Sequence, residues 1–444
     1  MHLSGMDEGT TRSGGLGLFT AIAFAVGNMV GAGVFVLSGL VVDVAGPSAV
    51  VSYILCGILV MFSGLSYAAL ASIYPEDGGG YLFARRMLGP VPGFIAGWAM
   101  YISLTIASAF ILLGFGIYAN LLLGTSFDPR YFALAALVLL SFLNIHGLSE
   151  AGKLEVALVV SKVAILLGLI IAGLFYISAS DFTPFFASGT GGVIDGMTMV
   201  FFAYIGFQVV ALMGGEIKES SRNVPLATLA AIGIVAVIYT GVIVALLSAN
   251  LPSYGEKSVF DAAAVLFGSL GATLVALGAV FSTLSSANAN VIGASRITME
   301  MAFEKQLPCR FSRLLHEQPV NSIILDAVLC CVLVIYGNLY FIVSLTNVTT
   351  LVTMALVNIS AFILVRKEHL VPPEKTYFRM PLGVLIPALG FVSCIFMLAT
   401  LNLLIILLGL AIILPGLVFY FVEDTPGGER IRREIGRRLG RKVK

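Results

Sequence analysis

Gly27-Asn28-Met29-Val30-Gly31-Ala32-Gly33-Val34-Phe35 interrupts the first apolar stretch of the chain, and Phe201-Phe202-Ala203-Tyr204-Ile205-Gly206-Phe207-Gln208, followed by Gly214-Gly215, interrupts the sixth. Glycine-broken segments in corresponding positions of two halves are the sequence mark of an inverted repeat with a binding site at the membrane midplane. Residues 15–177 form the first half and 192–365 the second, with five candidate helices in each. Five is odd, so the second copy enters the membrane from the opposite face.

The surrounding composition agrees with a membrane setting. Of 444 residues 59% are hydrophobic and 11% charged, with a mean hydropathy of +1.02, whereas a soluble domain is about 25% charged. Apolar runs bounded by charge and turn clusters predict twelve transmembrane helices near 16–42, 47–72, 91–122, 130–146, 154–177, 192–217, 225–249, 265–300, 319–336, 339–365, 382–402 and 403–423. The runs are too long and too uniformly apolar for barrel strands. The expected fold is an all-α integral membrane protein: a five-plus-five inverted repeat with two additional C-terminal helices at 382–423. A short N-terminal tail (1–14) and a basic C-terminal tail (424–444) complete it.

With the N-terminus cytoplasmic, all of the 25 Lys and Arg except Arg130, Lys257 and Lys162 fall on the cytoplasmic side or at its border. That bias sets orientation, and an even number of spans returns the basic tail to the cytoplasm, where it suits contact with anionic lipid. The polar, glycine-rich start lacks the pattern of a cleaved signal peptide. A net charge of +1 argues against a nucleic-acid partner. The five cysteines lie mostly inside apolar runs without metal-ligand spacing, so neither a metal site nor a cofactor is expected.

The glycines at 27, 31 and 33 let backbone amides face a ligand, and a half-helix starting there offers its positive end to a carboxylate. Gly27 and Gly31 also spell GxxxG, a helix-packing pattern. Phe202, Tyr204 and Phe207 beside Gly206 would line an apolar pocket. Lys162 sits about eight residues into the fifth helix, roughly 12 Å deep at the helical rise, and an intramembrane lysine suggests function. Ser282, Ser285 and Ser286 share one face of the eighth helix, with Thr283 beside them; such a face suits a sodium ion or an ammonium, although hydroxyls here often bond their own i−4 carbonyl. Asn288 and Asn290 extend its polar character and can bond across helices. Asp43, Glu155, Asp195, Glu216 and Asp326 lie near span ends and read as interfacial, as do the four histidines; Trp98 reads as an interfacial anchor. No HExxH helix, mid-membrane Asp pair or serine with a buried histidine is present, so an intramembrane enzyme is not expected.

Four stretches together resemble the amino acid, polyamine and organocation transporter superfamily: GNMVGAGVFVLSG (27–39), YPEDGGGYLFARRMLGPVPGFIAGW (74–98), FFAYIGFQVVALMGGEIKESSRNVPLA (201–227) and ASRITMEMAFEKQLP (294–308). The resemblance implies that Gly31, Ala32 and Gly33 present amides to a substrate α-carboxylate and that carbonyls around Phe202, Ala203 and Ile205 receive its ammonium. Phe202 would be an aromatic gate, Tyr204 and Phe207 would shape the side-chain pocket, and Met29 and Val30 would add to it. Lys162 is similar to the lysine of proton-coupled members. There it would stand in for sodium, bridging the Gly27 or Val30 carbonyl and the Ser282, Ser285, Ser286 face. Several relatives carry an acid after the Gly-Phe of the sixth helix, where this chain has Gln208. The expectation is a plasma-membrane transporter of neutral L-amino acids coupled to protons; an exchanger and a non-transporting amino-acid sensor are the alternatives.

Overall fold

The structure, a computed structural model, describes residues 15–147, 153–315, 318–367 and 377–423. Both tails, His2, His316, His369 and Lys375 lie outside the described residues. Among those described the chain is helical throughout, apart from turns and two isolated bridges, Leu16 with Ile217 and Leu315 with Gln318.

The first helix, α1 (Leu18–Met29), stops inside the glycine-rich stretch. Val30 leaves helical geometry at ψ 72°, and the chain restarts as a wide π-helical turn, Gly33–Leu37, that leads into α2 (Ser38–Ala45). Gly46 and Pro47 turn the chain into α3 (Ala49–Ile73). Next comes α4 (Gly79–Leu88), a short amphipathic helix that the apolar runs did not reveal, because its charged face carries Arg85 and Arg86. The central rod is α5 (Pro90–Leu123), whose 34 residues extend roughly 51 Å at 1.5 Å per residue. Then follow α6 (Pro129–Ile145) and α7 (Lys153–Tyr176).

The second glycine-broken segment is α8 (Gly189–Tyr204), an extended Ile205, Gly206 and the single turn α9 (Val209–Leu212). Gly206 has φ +131°, a backbone open only to glycine. A Cβ there would also lie 3.1 Å from the Met29 nitrogen, so the two breaks touch through this residue. The remaining helices are α10 (Ser220–Ser248), α11 (Ser258–Phe303), α12 (Val320–Tyr336), α13 (Leu339–Arg366), α14 (Leu385–Ala399) and α15 (Leu403–Glu423). The apolar run that suggested a start near 265 on α11 begins at Ser258, with a kink at Gly268 (φ 73°). By length and composition seven helical stretches among the described residues can cross a bilayer, and an eighth arises if α14 and α15, bent by 116° at their break, act as one. The chain is a multi-pass membrane protein.

Two interfacial expectations fail. Asp326 is fully buried, its Oδ1 2.5 Å from the Thr105 hydroxyl of α5. Its position six residues into α12 suggested an interface, but the face it occupies packs on α5. Trp98 is likewise covered: its Nε1 donates to the Ile412 carbonyl of α15 (3.2 Å), and its ring lies beside Phe94 and Tyr101. The C-terminal helix covers a side chain that the sequence placed at the membrane surface.

Candidate substrate and coupling sites

The two breaks face each other in the middle of the bundle, and polar side chains from three elements join them. Asn28 donates Nδ2 to the Gly206 carbonyl (3.3 Å). The Tyr239 hydroxyl of α10 lies between the carbonyls of Met29 (2.7 Å) and Ala203 (3.1 Å), one from each break, with a single proton for the two. Broken helices expose backbone groups that lipid cannot satisfy, and Tyr239 answers for one on each side. Its position in an apolar run gave no sign of this role.

On the far side of α1 lies a cationic cluster. Lys162, 1% exposed, donates Nζ to the Gly27 carbonyl at 2.5 Å. Ser286 donates to the same carbonyl (3.1 Å), and Ser282 donates to the Val30 carbonyl. The last carbonyls of α1 have no intrahelical partners, and an ammonium with two hydroxyls from α11 supplies them. Ser285 is buried on the same helix. Thr283, by contrast, bonds back to Ala279 and Val280 of its own helix. Gly31 packs so closely here that a Cβ would lie 2.8 Å from the Ser286 oxygen.

Between the breaks is a cavity of roughly 20 Å³, room for a water-sized body. Its walls are Asn28, Met29, Gly31, Ala32 and Gly33 from the first break, and Phe202, Ala203, Ile205 and Gly206 from the second. Ala107 and Ile111 of α5 and Asn290 of α11 close it. Gly31 N donates to the Met29 carbonyl (2.8 Å). Ala32 and Gly33, as the first residues of the next half-helix, have N–H groups without an intrahelical acceptor, and the N-cap residue, Ala32, has no side chain that could cap them. The Phe202 ring lies 4.5 Å from that of Phe110 of α5.

The expected site residues thus divide between two places. Met29, Gly31, Ala32, Gly33, Phe202, Ala203 and Ile205 line the cavity; Gly27, Val30, Lys162, Ser282 and Ser286 meet behind it. Tyr204 and Phe207 are not among the residues lining this cavity. Tyr204 donates its hydroxyl to the Tyr53 carbonyl (3.0 Å), and the Phe207 ring packs edge-on against Tyr67. Gln208 folds back, its Oε1 accepting from Gly206 N (3.2 Å). Asn288 accepts from Asn144 of α6 (2.7 Å), as cross-helix bonding predicts, whereas Asn290 turns to the cavity.

A broken-helix pair enclosing a small cavity, with a buried cation at the end of the first half-helix, is a transporter's architecture. Residues 16–418 match the family model described as amino acid permease. The chain belongs to the amino acid permease family. It is an amino acid transporter of the amino acid, polyamine and organocation superfamily, and not an enzyme. It is 31% identical to the inner membrane transport protein YbaT of Escherichia coli over 78% of this chain and 82% of that one. It is 26% identical to the branched-chain amino acid permease BcaP of Bacillus subtilis, over 92% of each. The serine/threonine exchanger SteT of Bacillus subtilis shares 30% identity over 66% of this chain and 69% of its own.

Proposed function

We propose that this permease takes neutral L-amino acids across the plasma membrane by proton-coupled symport, with Lys162 as the coupling residue. In this reading twelve spans form the five-plus-five inverted repeat, residues 15–177 and 192–365, with 382–423 outside it and both termini cytoplasmic. The substrate α-carboxylate meets the amides of Ala32 and Gly33 at a half-helix N-terminus. The carbonyls around Phe202, Ala203 and Ile205 receive the ammonium, and the Phe202 ring gates the site. Tyr204 and Phe207 support the second break from behind instead of touching substrate.

The observation that carries the coupling is the Lys162 ammonium on the Gly27 carbonyl, beside Ser286 and Ser282. A protonated Lys162 ties α7 to the end of α1; loss of the proton weakens that tie and frees the first break to move. A sodium ion beside the same ammonium would be repelled. The neutral preference is supported by the cavity, whose described lining holds no charged side chain.

The test is uptake of labelled amino acids into proteoliposomes, with and without an inward proton gradient and without sodium. Accumulation driven by the gradient is expected, and Lys162→Ala is expected to abolish that stimulation while ligand binding persists. An unchanged pH dependence in the variant overturns the coupling role. The likeness to SteT favours exchange as a second reading, which uptake only into preloaded vesicles would select. Binding without any flux would select a sensor.

A further inference from the structure

The cavity contains one polar side chain that the transporter reading leaves without a task. Asn290 on α11 is 4% exposed, lines the cavity, and makes no hydrogen bond to any described residue. Its amide faces the cavity, and an amide cut off from water by a bound molecule that does not replace its hydrogen bonds is costly; its neighbour Asn288 shows that this helix can also place an amide in a cross-helix bond. Asn28, the other polar side chain of the lining, is half engaged. Its Nδ2 holds Gly206, and its Oδ1 is buried without a partner among the described residues.

We propose that Asn290 is a specificity-determining residue that hydrogen-bonds a substrate side chain, and that the preferred substrates are short neutral L-amino acids carrying a hydroxyl. The inference rests on the proposed placement of substrate between the two breaks. With the α-carboxylate at Ala32 and Gly33 and the ammonium at the second break, the substrate side chain is left the wall formed by Ala107, Ile111 and Asn290. An amide both donates and accepts, so its best small partner is a group that does the same. A hydroxyl does so with a single heavy atom, which suits walls as close as Ile111 and the Phe110–Phe202 ring pair. An acidic or basic side chain would find no opposite charge among the described lining residues. An all-carbon side chain would leave Asn290 unpaired and more fully desolvated than before, the situation in which a polar site rejects an apolar isostere.

L-threonine and L-valine differ only by hydroxyl against methyl, so their ratio isolates this contact. Competition by each against a labelled substrate is measured in proteoliposomes for the wild type, Asn290→Leu and Asn290→Ala. The wild type is expected to favour threonine by about tenfold or more. Both variants are expected to bring the pair within about twofold while continuing to take up valine. Parity or a valine preference in the wild type overturns the proposal, as does a threonine preference that survives in both variants or an equal loss of both substrates. If neither variant reconstitutes, the wild-type ratio decides alone. A wild-type chain that moves no amino acid at all defeats the transport reading first, a failure distinct from transport without hydroxyl preference.

Discussion

Tyr239 shows how much a single hydroxyl can do where two helices are broken. It lies within hydrogen-bonding distance of the Met29 and Ala203 carbonyls, and neither carbonyl belongs to a regular helical turn with its full set of donors. Tyr239→Phe removes one oxygen and keeps the edge-on packing against Tyr53 and Tyr204. The expected cost is about 1 kcal/mol of stability, seen as a drop of a few degrees in the melting temperature of the detergent-solubilised protein, with a weaker closed state and faster substrate release. An unchanged melting temperature and release rate would mean that other groups satisfy both carbonyls. Lys162 was legible in the sequence because a lysine so far inside an apolar run has few bland explanations. Tyr239 and Asp326 were not. Tyrosine is ordinary in such a run, and the position of an aspartate along a helix does not reveal which face its neighbours cover. For Asp326, whose one described partner is Thr105, Asp326→Asn keeps an acceptor at the same place and is expected to change the melting temperature little. Asp326→Leu strands the Thr105 contact and is expected to lower it clearly; equal effects would show that packing volume alone matters there.

At the scale of elements, the long uniform helices announced themselves. The apolar runs at 91–122 and 339–365 appear as Pro90–Leu123 and Leu339–Arg366, because hydrophobic length is what the bilayer demands. The amphipathic α4 escaped, since no bilayer-length run marks a helix of 10 residues. This helix is clamped to the end of α11 by Arg85 and Glu304, with N–O contacts of 2.5 and 2.6 Å, and by the Tyr81 hydroxyl on Gln306 (2.9 Å). The hydrogen bond from Arg85, aided by its charge, holds the Glu304 carboxyl below its ordinary value of 4.5. A depressed carboxylate pKa contributes stability above the unfolded value and loses it as pH falls through the folded one. The clamp is therefore complete at neutral pH and fades only below about 4.5. Because both partners are partly exposed, its worth is about 1 kcal/mol or less. Glu304→Gln is expected to show a constant small deficit in thermal stability above that pH and to converge with the wild type below it. A deficit that persisted unchanged into acid would assign the effect to packing instead of charge.

Across the whole molecule, the face carrying the start of α1 and the end of α9 is held by contacts between the two broken segments and by contacts from α11 and the loop before α4. Leu16 N donates to the Glu216 carbonyl and Lys218 N to the Leu16 carbonyl, both at 2.9 Å. Arg296 of α11 pairs with Glu216 (2.6 Å), and Asp77 accepts from Gly215 N (2.9 Å). With this face closed and the central cavity roughly water-sized, an amino acid reaches the site only when one set of contacts opens. The sequence suggested the breaks but not these ties, which form between residues from 80 to about two hundred positions apart and depend on how the halves dock. Leu16→Pro deletes one backbone donor from the pairing without touching the cavity. Losing one hydrogen bond of about 1 kcal/mol should favour the state open on this face by roughly fivefold, since only the closed state contains it. In a chain with its native cysteines replaced and Ala107→Cys installed in the cavity wall, Leu16→Pro is expected to speed labelling by a small polar thiol reagent applied from this face by that factor. Labelling from the opposite face should slow. Equal rates with and without Leu16→Pro would mean that the backbone pairing survives opening, leaving the Arg296–Glu216 and Asp77 contacts as the ones that must part.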